Sequence, residues 1–320
     1  MLFALALTGP TASGKTALSI NLARELDCEI ISLDSMQIYK GMDIGTAKAT
    51  PQERAAIKHH MLDIVPPNEN YSAESYRADA LACAGEIALL GKIPLFVGGT
   101  GLYLDTLMRG ASSEVPESSA EWREELLSKI KTEEDITLLW ERLYEIDPAA
   151  AEKTHKNNVR RVARALEIYE RTGRTKSYFD EQSRELCPDI RVGVITLDFH
   201  DRDNLYSRID KRVDLMIAEG LEGEVRGLYE GGLLPQDSTA SQAIGYKEII
   251  SYIKGECTLE GAVEKIKLSS RRYAKRQLTW FRHESEAARI YVDREDGRQK
   301  SLSELSCEIS LAAKAFINKR

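Results

Sequence analysis

An octapeptide near the amino terminus, Gly9-Pro10-Thr11-Ala12-Ser13-Gly14-Lys15-Thr16, leaves little freedom in how this chain can begin to fold. It fits G-x-x-x-x-G-K-[ST] and lies between an apolar run, Leu2 to Leu7, that reads as a buried strand and a segment, Ala17 to Leu26, that reads as a helix. In that setting the amides of the glycine-rich turn and of the helix N-terminus point at an anion, Lys15 adds a point charge, and the Thr16 hydroxyl can hold Mg²⁺. Linked phosphates are the expected ligand. The motif does not say what becomes of them.

Composition narrows the setting. With 320 residues, 42% of them hydrophobic, the chain can build one large α/β domain with an insertion, or two domains. The Leu2–Leu7 run lacks a basic flank and feeds straight into the phosphate loop, so it is not read as a signal peptide. No stretch has the length needed to span a bilayer. The cysteines, Cys28, Cys83, Cys187, Cys257 and Cys307, are far apart and form no C-x-x-C pair, which suggests reduced thiols and a cytoplasmic protein without a zinc site. His59 and His60 are adjacent, diverge in direction, and read as loop histidines.

The net charge of −7 hides two basic windows. Lys153 to Lys176 holds eight Lys/Arg against two Glu, and Lys265 to Arg282 holds seven with no acid, leaving −20 on the rest of the chain. Both windows read as helices. In the first, Val159, Val162, Leu166 and Tyr169 form an apolar stripe, Arg160, Arg164 and Arg171 share another face, and Gly173 is a stop signal. In the second, Ala262, Ile266, Ser269, Tyr273, Gln277 and Phe281 trace the inward side. A single such window is readily a solvated face; two in an acidic chain favour a polyanion larger than a nucleotide.

Short β-branched runs at Leu2–Leu7, Glu29–Leu33, Ile93–Val97 and Arg191–Leu197, separated by helical segments, predict an α/β fold: a P-loop NTPase-like parallel sheet flanked by helices. Between Gly110 and Asp189 the character changes. Ser112, Ser113, Pro116, Ser118 and Ser119 make a polar joint, and Ala120 to Tyr178 reads as helices alone. The expected organisation is a core over 1–110, an all-helical insertion domain over 111–189, and the core resumed over 190–320. Beyond Asp293 a charged linker and a terminal helix, Leu302 to Ile317, are expected.

Asp34 follows the second strand, and in an open parallel sheet the carboxyl ends of neighbouring strands border one crevice, so it should lie within reach of the phosphate loop as a metal ligand or general base. A carboxylate capping the next turn is the plainer alternative. The third strand runs into Gly98-Gly99-Thr100-Gly101-Leu102-Tyr103, where an ATPase would carry a Walker-B aspartate. There is no N-K-x-D guanine-reading motif either. A nucleotide hydrolase thus loses two supports.

At this point the chain resembles the bacterial tRNA dimethylallyltransferase family. The resemblance rests on Gly9–Thr16, on Asp34-Ser35-Met36-Gln37-Ile38-Tyr39-Lys40-Gly41-Met42-Asp43-Ile44-Gly45-Thr46-Ala47-Lys48, and on Gly98–Tyr103. It continues through Arg160-Arg161-Val162-Ala163-Arg164-Ala165-Leu166-Glu167, Ala243-Ile244-Gly245-Tyr246-Lys247-Glu248, and Lys275-Arg276-Gln277-Leu278-Thr279-Trp280-Phe281-Arg282. The strings run in order from residue 9 to residue 282; the first alone is generic, the set is specific.

The resemblance implies transfer of the five-carbon allylic group of dimethylallyl diphosphate to N6 of the adenosine 3′ to a tRNA anticodon. The P-loop, Gly9 to Thr16, would hold a leaving group, which explains the missing Walker-B aspartate. Asp34 would be the general base, oriented with the amine by Thr100, and Arg208 would join Lys15 in stabilising the departing diphosphate, because Tyr206–Arg212 is similar to the family's diphosphate-contacting helix. Ser35, Met36 and Gln37 would line the pocket for an extruded base. Arg160, Arg161 and Arg164 on one basic helix and Lys275, Arg276 and Arg282 on the other would grip the anticodon stem-loop, with further contacts from Gln242, Gly245, Lys247 and Arg123. A monomer is expected. Two rivals share parts of this: a P-loop small-molecule or nucleoside kinase using Asp34 as base and Arg208 as a lid arginine, and an RNA-binding regulator with a vestigial nucleotide fold.

Overall fold

The computed structural model describes residues 1–109, 119–182, 189–236, 238–284 and 286–319, without the side chains of Ala120 and Arg123. Two compact units emerge: 1–106 together with 188–320, and 107–187. In chain order the elements are β1 (Leu2–Thr8), α1 (Lys15–Leu26), β2 (Cys28–Leu33), α2 (Pro51–Ala56), β3 (His59–His60), α3 (Ala73–Leu89), β4 (Ile93–Gly98) and α4 (Gly101–Arg109). Then come α5 (Ala120–Ser128), α6 (Glu133–Ile146), α7 (Pro148–Glu152), α8 (Val159–Thr172) and α9 (Lys176–Gln182). The chain finishes with β5 (Ile190–Asp198), α10 (Arg202–Ala218), α11 (Leu221–Glu230), α12 (Tyr246–Ile253), α13 (Leu259–Arg282), β6 (Ala288–Tyr291) and α14 (Leu302–Ile317).

The larger unit carries a six-stranded, all-parallel sheet in the order β3-β2-β4-β1-β5-β6. β1 is central and buried at six of its seven positions, as a parallel strand covered on both faces must be. Its one polar side chain, Thr8, is satisfied by the Ile195 carbonyl at 3.2 Å and the Thr196 hydroxyl at 2.8 Å. Thr8 pairs with Gly98 and Leu33 pairs with Gly98, so the residues that leave β1, β2 and β4 emerge side by side at one edge. Sequence order and sheet order together make the crevice there.

The four anticipated strands are present. Two others were not anticipated. His59 and His60 form the short edge strand β3 rather than a loop, registered on Ile30 and Ile31. β6 pairs with β5, and the segment after it is more than a linker: Asp293, fully buried, accepts the His200 and Asp201 amides at 2.7 and 3.1 Å and the Asn204 side-chain amide at 3.1 Å. α14 occupies the residues expected of it.

The smaller unit contains only helices among its described residues, around Leu139, Leu143, Ala151, Val162, Ala165 and Leu166, with Trp122 and Trp140 packed against them. α8 follows the amphipathic pattern and ends where Gly173 takes φ +69°, a conformation that favours glycine. The joint at Ser112, Ser113, Pro116 and Ser118, and Cys187, lie outside the described residues. Among the described residues no helix is long and apolar enough to cross a membrane.

Candidate functional site

A cavity of about 630 Å³ opens at the carboxyl edge of the sheet, within the larger unit. One wall is Thr11 to Ala17, another is Asp34 to Gln37, and α10, the Gln242–Gly245 turn and α13 complete it.

The phosphate loop has the form the motif requires. Gly14, at φ +92°, is the N-cap of α1 and supplies no side-chain cap, so the helix opens on unsatisfied amides. Lys15 folds back on its own loop: its ammonium donates to the Gly9 carbonyl at 3.0 Å and the Pro10 carbonyl at 2.7 Å. Burial, reinforced by the nearby Arg212 cation and opposed by Asp34, brings its pKa down to about 7. The Thr11 amide is already used, donating to Gln277 Oε1 at 2.9 Å.

Asp34 leaves β2 at the expected edge and lines the cavity. Its Oδ1 accepts the Met36 amide at 2.9 Å, so it caps the turn as well as facing the crevice. Thr100 does not line the cavity. Its hydroxyl accepts the Ser35 amide at 3.1 Å and donates to the Ser35 hydroxyl at 3.5 Å, so it braces the turn that carries Asp34. Ser35 and Met36 are on the cavity wall. Gln37 is too, but its amide is committed internally: Nε2 donates to the Thr46 carbonyl at 3.1 Å and Oε1 accepts from Ser32 at 2.8 Å. That loop is itself pinned by Glu224, whose carboxylate accepts the Asp43, Ile44 and Gly45 amides.

Arg208 sits against the phosphate loop, its guanidinium beside Gly14. It is not on the cavity wall; Nε donates to the Ala12 carbonyl at 2.8 Å and Nη1 to Gln299 at 3.1 Å, which supports the phosphate loop from outside. Arg212, one helical turn further along α10, lines the cavity, and its charge is felt by Lys15 and Asp34. Burial lowers its pKa from the ordinary arginine value, a shift that Asp34 counters. The i, i+4 spacing of the two arginines was legible, but nothing in the sequence said which one faces inward. Ile209, Val213 and Met216 on the same helix, with Ile244 and Ile266, give the cavity an apolar side.

The expected RNA contacts divide into exposed and committed residues. Arg160, Arg161, Lys275, Arg276, Gln242 and Lys247 are exposed, with Gln242 donating to the Gln236 carbonyl at 3.0 Å and Gly245 buried at the N-cap of α12. Arg164 pairs with the buried Glu167 at 2.8 Å. Arg282 forks onto Asp198, 1% exposed, at 3.0 and 3.1 Å, so it neutralises a buried carboxylate. The Arg123 side chain lies outside the described residues.

The chain has counterparts among known proteins. A family model described as "IPP transferase" matches residues 37–284, and one described as "Isopentenyl transferase" matches 3–67. A protein of Thermoanaerobacter sp. (strain X514) called tRNA dimethylallyltransferase is 47% identical over 86% of this chain and 87% of its own, and one of the same name from Bacillus mycoides is 45% identical over 92% and 91%. Among solved structures, a tRNA delta(2)-isopentenylpyrophosphate transferase from Staphylococcus epidermidis superposes with a TM-score of 0.69 at 39% identity, covering all of both chains. A eukaryotic dimethylallyltransferase acting on tRNA gives 0.79 at 30% identity, over all of this chain and 80% of the other. With most of its length matched by the family model and by relatives at this identity, the chain belongs to the IPP transferase family.

Proposed function

We propose that the chain transfers the dimethylallyl group of dimethylallyl diphosphate to N6 of the adenosine 3′-adjacent to the anticodon of tRNA, releasing diphosphate. The observation that carries this reading is one cavity shared by an anion nest, an ionisable carboxylate and an apolar wall. The first suits a diphosphate, the second an amine that must lose a proton, the third a five-carbon chain. As N6 attacks the allylic carbon, the C–O bond breaks, its electron pair leaves on the diphosphate, and the N6 proton passes to Asp34. Lys15 and Arg212 face the charge that grows on the leaving group, where cations already held in place stabilise it without reorganising. The names of the relatives favour this over the kinase.

Among the described residues no three His, Cys, Asp or Glu gather as a metal site. The oxygen donors present, the Thr16 hydroxyl and the Asp34 carboxylate on the cavity wall, suit Mg²⁺, which usually takes most of its ligands from phosphate and water. Mg²⁺ held by Thr16 would neutralise diphosphate charge. Exposed Arg160, Arg161, Lys275 and Arg276 would meet RNA phosphates. The proposed form is a monomer, and a tRNA substrate puts the protein in the cytoplasm.

The direct test is mass spectrometry of bulk tRNA incubated with the protein, Mg²⁺ and dimethylallyl diphosphate. One added C5H8 per modified adenosine is expected; transfer of phosphate from ATP to a small alcohol with unmodified tRNA would select the kinase. A second test separates the two arginines. Arg212→Ala should lower kcat by roughly 10- to 30-fold, whereas Arg208→Ala, which only loosens the loop, should cost several-fold less. Equal losses would return the charge-stabilising role to Arg208.

A further inference from the structure

We propose that Gln277 is a positioning residue that locks the leaving-group loop to the Gly98–Thr100 turn. This rests on the function proposed above and adds a role to a residue outside the chemistry. Gln277 projects from α13 and is 5% exposed. Its two ends hold two different loops: Oε1 accepts the Thr11 amide at 2.9 Å, and Nε2 donates to the Gly99 carbonyl at 2.9 Å. One side chain therefore joins the phosphate cradle, which follows β1, to the turn after β4.

Three features make this bridge specific. A Cβ on Gly99 would lie 2.1 Å from Gln277 Nε2, so the turn has a glycine where the amide presses against its backbone. Thr100, the residue after Gly99, accepts the Ser35 amide beside Asp34 at 3.1 Å, so the turn that Gln277 holds also braces the segment carrying the base. The chain of contacts thus runs from the diphosphate cradle to the base. Finally, the Thr11 amide spent on Gln277 cannot also donate to a phosphate, so the nest begins at Ala12. A primary amide offers a donor and an acceptor together at this reach without titrating.

The bridge predicts an unusual pH signature. In Gln277→Glu an ionised carboxylate would still accept from Thr11 but would face the Gly99 carbonyl without a proton. A protonated carboxyl restores both bonds, and burial beside a carbonyl raises its pKa. Relative to the parent, kcat of Q277E should therefore rise about fivefold or more as pH falls from 8 to 6, with KM for tRNA unchanged. Q277L should lose about 10- to 30-fold in kcat at every pH and bind inorganic diphosphate several-fold more weakly by calorimetry. A residue that merely fills space would give a pH-independent Q277E ratio. That outcome, or Q277L within twofold of the parent in kcat, overturns the proposal. Q277M keeps the volume and replaces Q277L if circular dichroism shows the latter unfolded. If the parent itself fails to prenylate tRNA, the function reading fails, and diphosphate calorimetry on the same variants still decides the role of Gln277.

Discussion

Asp34→Asn protein should bind an anticodon stem-loop within about threefold of the parent and turn over at least about a hundredfold more slowly. Adenine N6 is a weak nucleophile because its lone pair is delocalised into the ring. Bond formation to carbon makes its proton acidic, and a carboxylate within reach takes that proton as charge develops. Asparagine is the informative replacement. Oδ1 can still accept the Met36 amide, so the turn survives, and only the capacity to take a proton is lost. Asp34→Ala removes both and should fall at least as far. The loss should sit in kcat, measured by label transfer from dimethylallyl diphosphate with RNA saturating, because the basic helices that would hold RNA are untouched. An RNA-binding regulator would be indifferent to either change. Turnover of Asp34→Asn within fivefold of the parent would leave Asp34 as a turn cap only.

Much of this site was legible before any coordinates, and the reason is local. A phosphate loop needs glycines, a lysine and a hydroxyl at fixed spacing between a strand and a helix, so Gly9–Thr16 names both the turn and its neighbours. Asp34 and Gly98–Thr100 followed from the rule that parallel strands end at one edge. What stayed hidden depends on partners far along the chain. Arg282 reads as one more basic residue until Asp198, 84 positions away, is seen beneath it. Gln277 was expected on the inward side of its helix, but its two partners lie 266 and 178 positions away. Gln37, expected to line the pocket for an extruded base, is on the cavity wall, and its bonds to Ser32 and Thr46 could not be read from the sequence. β3 escaped for another reason: two residues at a sheet edge are too few to show a period.

Lys15→Met should weaken diphosphate binding about a hundredfold while making the ligand-free protein more resistant to heat. In the free protein Lys15 is half-buried, its ammonium bonded to its own loop's carbonyls and pressed by Arg212, and the partial desolvation and the neighbouring cation bring its pKa to about 7 against about 10.5 when unfolded. The sign follows directly. A folded-state pKa below the unfolded one means the unfolded chain binds the proton more tightly, so this group destabilises the fold fully below pH 7 and is relieved as pH rises towards 10.5. Methionine removes that burden, and thermal melts at pH 6.5 should show the gain, shrinking as pH rises. A bound diphosphate reverses the balance, because its charge favours the ammonium. At an effective dielectric near 20, a pair of unit charges 4 Å apart gains about 4 kcal/mol, of which desolvation leaves enough for the hundredfold. Above pH 7 the parent must therefore take up close to one proton on binding, and calorimetry at pH 8 in buffers of different ionisation enthalpy measures it. Lys15→Met should take up less by that proton, which separates it from the titration of diphosphate itself. Equal uptake by parent and variant, or a variant no more heat-resistant than the parent at pH 6.5, would mean that Lys15 is already fully charged before the ligand arrives.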